Sequence, residues 1–133
     1  RYMHPEWWRE GIHSLASGLS VAGVPFVLVH SSPELHGWPS DCLASGTPDS
    51  CAAPRRELDP YRAAALAAEN AALAGVPLTA AIDPYSILCD LKACPVVSGR
   101  DVLYRDDNHF TPAGARLLTP ALRAAIGRLL AAA

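Results

Sequence analysis

Gly23-Val24-Pro25-Phe26-Val27-Leu28-Val29-His30 is the stretch on which the fold turns. Its centre, Pro25 to Val29, is short, β-branched and bounded by turn residues, which predicts a buried strand with His30 at its C-terminal end. A second run, Val76-Pro77-Leu78-Thr79-Ala80-Ala81-Ile82, repeats the pattern and stops at Asp83-Pro84. Ahead of the first run, Trp8, Ile12, Leu15, Leu19 and Ala22 recur every three or four positions, so residues 5–22 read as a helix that Gly23 ends. Between the runs, Asp59-Pro60 forms a cap and first helical residue for an Ala- and Leu-rich helix over 59–74, closed by Gly75. Helix, strand, helix, strand in that order predicts parallel strands and an α/β layer architecture, with ligands beyond the carboxyl ends of the strands.

Outward from this frame the pattern becomes irregular. Residues 31–56 contain Pro33, Gly37, Pro39, Gly46, Pro48 and Pro54, and are expected to form a long loop without regular structure. Past Cys94, Pro95 to Val97 and Val102 to Tyr104 flank Ser98-Gly99-Arg100-Asp101 as a small hairpin. Thr111-Pro112 caps a terminal helix whose apolar face takes in Leu117, Leu118, Leu122, Ile126 and Leu129.

The chain has 133 residues, half of them apolar, enough for one domain. Its formal charge of −2 is spread without a basic stripe, which argues against a nucleic-acid partner. No apolar run approaches the roughly 20 residues of a spanning helix. The sequence begins at Arg1 without an initiator Met, and its start lacks the pattern of a signal peptide, so a piece of a longer protein is expected. Four cysteines fall as two close pairs in loop-like segments. Three pairings are formally possible; the simplest are the local ones, Cys42 with Cys51 and Cys89 with Cys94. Zinc sites usually set cysteines in closely spaced pairs with matched partners, a pattern to which neither gap here conforms well. Disulfides in an oxidising, extracytoplasmic compartment are expected, with no metal and no cofactor.

The chemistry concentrates in Leu103-Tyr104-Arg105-Asp106-Asp107-Asn108-His109-Phe110-Thr111-Pro112-Ala113-Gly114-Ala115. An acid three residues before a histidine in one turn can bring a carboxylate oxygen to Nδ1–H, fix the tautomer and leave Nε2 to accept a proton. The helix start at Thr111-Pro112 would hold that turn in one position.

The Asp-x-x-His block, followed by Phe110, Thr111 and the Gly114-Ala115 pair, resembles the last block of SGNH (GDSL-like) hydrolases. Leu88-Cys89, Cys94, Gly99 and Leu103-Tyr104 add a closer resemblance, to the SGNH domain fused to membrane acyltransferase-3 proteins, which modify cell-surface glycans. The first helix, the strand Phe26 to Val29 and the loop from Pro33 to Cys42 also look similar. The resemblance implies a three-layer α/β/α, flavodoxin-like fold with a parallel sheet, of which 1–133 would be the C-terminal part of a single domain. It implies His109 as general base and Asp106, rather than Asp107, as the residue that orients it. It further implies an upstream membrane acyltransferase domain that tethers the chain, and a glycan or lipid acceptor. The family's nucleophile stands in an early Gly-Asp-Ser block, followed by oxyanion-hole Gly and Asn blocks, and none of these is present here. No serine of this chain has the Gly-Asp context, so the nucleophile is expected from a missing N-terminal part, and the chain alone is not expected to catalyse.

Plainer readings apply elsewhere. His30 is expected to be a satisfied structural histidine, the Trp7-Trp8 pair to serve the core, His4, His13 and His36 to lie on the surface, and Arg55, Arg56, Glu57 and Asp59 to form a solvated charged loop. Two functions follow: serine-dependent O-acyl (acetyl) transfer or ester hydrolysis on a surface glycan or lipid, or a catalytically silent α/β module that binds glycan or protein.

Overall fold

Five helices begin on a proline, the residue whose missing N–H and fixed φ suit a first turn. In chain order the computed structural model, which describes residues 4–133, contains α1 (Pro5–Val21), β1 (Phe26–Val29), α2 (Pro39–Leu43), α3 (Pro48–Cys51), β2 (Ala53–Pro54), α4 (Arg55–Leu73), β3 (Thr79–Ile82), α5 (Pro84–Leu88), β4 (Ala93–Cys94), β5 (Val97–Ser98), β6 (Asp101–Val102), α6 (Pro112–Leu117) and α7 (Thr119–Ala132). The chain divides into two compact units. One holds residues 4–30, Arg62–Ile82 and Ala121–Ala133, the other Ser31–Tyr61 and Asp83–Pro120.

In the first unit β1 and β3 run parallel, Phe26 opposite Thr79 through Val29 opposite Ile82. The His30 N–H continues the ladder to the Ile82 carbonyl at 2.9 Å. The α/β class is therefore present, with a parallel sheet of two strands among the described residues. The strands are less buried than their sequence implies: Val29 and Ala81 are exposed. The second strand is also shorter than expected. Gly75 and Leu78 both take positive φ (74° and 56°), and the Thr79 hydroxyl donates to the Val76 carbonyl, so residues 76–78 turn before pairing begins.

The core of this unit is aliphatic: Ile12 and Ala16 of α1, Ala68 and Ala72 of α4, Ile82, and Ala125 and Leu129 of α7. That overturns the core role expected of the tryptophan pair, since Trp7 is 73% and Trp8 39% exposed. Ile12 and Ala16 take the buried stripe, and Trp8 instead donates its indole N–H to Glu69 Oε1 at 3.0 Å. The other oxygen of Glu69 lies 2.6 Å from His30 Nδ1, so the buried imidazole and carboxylate satisfy each other.

The second unit packs Leu35, Leu58, Tyr85, Val96, Leu103 and Tyr104 into one apolar cluster. Short antiparallel pairs, β2 with β4 and β5 with β6, frame it. The bridges Cys42–Cys51 and Cys89–Cys94 staple its loops.

Three boundaries differ from expectation here. The segment 31–56 is not devoid of regular structure, because Pro39 and Pro48 open short helices, the second capped by reciprocal Thr47 and Ser50 hydrogen bonds. Helix α4 starts at Arg55 rather than Asp59, keeping Pro60 inside. Its added turn is held by Arg55, which pairs with Asp59 at 2.7 Å and lies over the Tyr85 ring, and by the buried Leu58; the charged residues expected in a loop thus build a helix start. The terminal helix is broken at Leu118 into α6 and α7, because Pro120 has no backbone N–H to donate to the Arg116 carbonyl. Leu117 and Ile126 of its expected apolar face are exposed.

Candidate active site

The turn from Arg105 to His109 is closed by its own backbone. Tyr104 and Phe110 form an antiparallel bridge, and the Arg105 N–H donates to the His109 carbonyl at 2.8 Å. Inside this ring Asp106 folds back as an Asx turn: its Oδ1 accepts the backbone N–H of Asn108 at 3.1 Å and of His109 at 2.8 Å. The same carboxylate meets His109 Nδ1, at 2.9 Å from Oδ1 and 3.1 Å from Oδ2. Asp107 points its backbone elsewhere, accepting the Leu35 N–H at 2.6 Å through its carbonyl.

Exposure separates the two partners. The Asp106 side chain is 18% exposed and the His109 ring 65%, with Nε2 free of any partner among the described residues. Burial by itself would raise the Asp106 carboxyl. The backbone N–H groups of His109 and Asn108, then the His109 ring, outweigh that and hold it at about 2. It therefore stays anionic beside the imidazole at any ordinary pH. Arg105 adds a long contact of 3.4 Å to Oδ2.

Neighbouring elements lock the turn. Thr111 caps α6, accepting the Gly114 N–H, while its own N–H and hydroxyl donate to the carbonyls of Leu103 and Val102. Gly114 sits so close to Leu103 that a Cβ would collide with the Leu103 carbonyl oxygen. This explains the glycine of the Gly-Ala pair: it lets the first turn of α6 press onto the strand that leads into the turn.

A family model of the SGNH domain fused to AT3 domains matches residues 4–124. The chain belongs to this SGNH family. Neither a curated protein nor a solved structure matches it. In this SGNH domain Asp106 and His109, predicted as partners, stand together. Two supports of their turn had no local signal. Ser32 donates its hydroxyl to the Asn108 carbonyl, and Leu35 binds Asp107, both from the segment after β1 and some seventy residues away in sequence. None of the chain's serines is hydrogen-bonded to His109, and Ser32 is the one whose hydroxyl meets its turn among the described residues. The two disulfides of the SGNH domain fit an oxidising, extracytoplasmic compartment. No helix among the described residues is long and apolar enough to cross a membrane.

Proposed function

We propose that this SGNH domain serves serine-dependent O-acyl transfer or ester hydrolysis on a cell-surface glycan or lipid, with His109 as general base and Asp106 as its orienting partner. The observation that carries the reading is the Asp106 to His109 Nδ1 contact, which directs an unpartnered Nε2 outward. The nucleophilic serine comes from an N-terminal part of the same domain, outside these residues. The edges of the parallel pair, unpaired among the described residues, support that reading, since parallel sheets are ordinarily larger and covered. The completed fold is the three-layer α/β/α arrangement, with Arg1–Ala133 as its C-terminal part. The family's fusion to AT3 domains supports a membrane acyltransferase domain in the full-length protein, tethering the domain on the extracytoplasmic side.

In this mechanism the serine oxygen attacks the ester carbonyl while its proton passes to Nε2. Nδ1–H donates to Asp106, which stabilises the imidazolium without taking its proton. The tetrahedral intermediate collapses, the leaving alkoxide takes the proton from Nε2, and an acyl-serine remains. An acceptor hydroxyl, or water, then gives its proton to Nε2 and attacks the acyl carbon, and the departing serine oxygen takes that proton back from Nε2. No metal or cofactor is required by these steps.

The test uses the full-length protein with p-nitrophenyl acetate and a fluorophosphonate probe. His109→Ala is expected to cut hydrolysis by about 10³-fold or more and abolish probe labelling; Asp106→Asn is expected to cost about 10²–10⁴-fold. Mapping the labelled residue should place it in a Gly-Asp-Ser block upstream. Hydrolysis by His109→Ala within twofold of the parent would remove the proposal and leave the silent binding module as the better account.

A further inference from the structure

The second unit contains a cavity of about 350 Å³ beside the Cys42–Cys51 bridge, at the lower end of the range for small-molecule sites. Pro39, Ala53, Pro54 and Val96 contribute an apolar part of its lining. Trp38 lines it and remains 57% exposed, a large indole face left to solvent. Three polar side chains share the wall: Asp41, whose carboxylate receives a long 3.4 Å contact from Ser40; His36, which stands 3.5 Å from Glu57 and edge-on to the exposed Tyr61; and Ser50, whose hydroxyl donates to the Thr47 carbonyl.

We infer that this cavity is a subsite for one neutral sugar ring of the acceptor, stacked by its C–H face on Trp38, with hydroxyls donating to Asp41. The inference rests on the functional reading above and names its substrate class. A pyranose combines an apolar face with a rim of O–H donors, and the cavity offers a flat aromatic face with an unused carboxylate beside it. Asp41 and Glu57 together disfavour an anionic occupant such as a phosphate. A quaternary ammonium fits less well, because its recognition sets several aromatic faces around the charge and here one indole lines the space. The cavity also touches the catalytic turn: Leu35, part of its wall, donates its N–H to the Asp107 carbonyl two residues before His109. A ring held there leans on the segment that braces the imidazole.

The test is saturation-transfer NMR on the full-length protein with methyl β-D-glucopyranoside, methyl β-D-galactopyranoside, methyl α-L-rhamnopyranoside and methyl N-acetyl-β-D-glucosaminide. At least one should receive saturation, Trp38→Ala should weaken it about tenfold with an unchanged unfolding temperature, and Trp38→Phe should restore part of it. Asp41→Asn should weaken the same sugar. The inference is overturned if no probe is saturated, if Trp38→Ala binds like the parent, or if tetramethylammonium displaces the sugar from the indole. Hydrolysis of p-nitrophenyl acetate by the unsubstituted protein is read in parallel. Saturation without hydrolysis keeps the subsite and removes the esterase reading; hydrolysis without saturation does the reverse.

Discussion

Asp106 has two tasks, and they titrate together. Its carboxylate both organises the turn through two backbone N–H groups and faces the His109 ring. Because its folded-state value, about 2, lies below the ordinary ~3.9 of an aspartate, it favours the folded form above about pH 4. That contribution fades as pH falls toward 2. Acid unfolding followed by circular dichroism should therefore be shallower in Asp106→Asn than in the parent over this window; identical slopes would show that the carboxylate is not held by the turn. Tyr104 presents the opposite case. Its ring packs on Phe110, its hydroxyl is buried without a partner among the described residues, and burial first, then Tyr85, pushes its ionisation well above the usual tyrosine range. A group raised in this way leaves stability unaffected below about pH 10 and lowers it progressively as pH rises above that. Tyr104→Phe removes an unsatisfied donor and should raise stability by about 1 kcal/mol in denaturant melts, while flattening the alkaline loss. A loss of similar size would mean that the hydroxyl has a bond.

At the scale of elements, the contact between α6 and the strand before the turn is the most demanding. Gly114→Ala must either push α6 away from Leu103 or rotate the turn, so it should destabilise by about 2–3 kcal/mol and lower hydrolysis as His109 shifts. Chemical melts and kcat would be read on the same preparation, and a variant within about 0.5 kcal/mol of the parent would contradict the close approach. This element also shows how far sequence reasoning carries. The Asp-x-x-His turn, the Thr111 cap and the two parallel runs were legible because each is set by residues within a few positions. The start of α4 was not, since its first turn depends on Arg55 reaching Tyr85 and on the burial of Leu58. Nor was the fate of the tryptophans: a 3.6-residue period identifies a stripe, but whether Trp8 or Ala16 fills it depends on which helices press against it. The support of the turn by Ser32 and Leu35 joins distant segments through backbone carbonyls, which no side-chain pattern announces.

Across the whole molecule, polar burial and covalent staples are divided between the units. The first buries His30 and Glu69 against each other, whereas the second relies on a larger apolar cluster and both disulfides. Each bridge closes a small ring, so chain-entropy reasoning gives roughly 2–3 kcal/mol apiece. Reduction should then lower the denaturant midpoint and open the wall of the sugar cavity, which Cys42 and Cys51 help to form. The separations of nine and five residues have a further consequence. Each thiol meets its proper mate while the polypeptide is still emerging, and within this sequence the other pair lies far away along the chain. Bridging these four cysteines therefore asks for an electron acceptor but for no enzyme that reshuffles mistaken links, and secretion from a host lacking its disulfide isomerase should leave both bridges correctly formed.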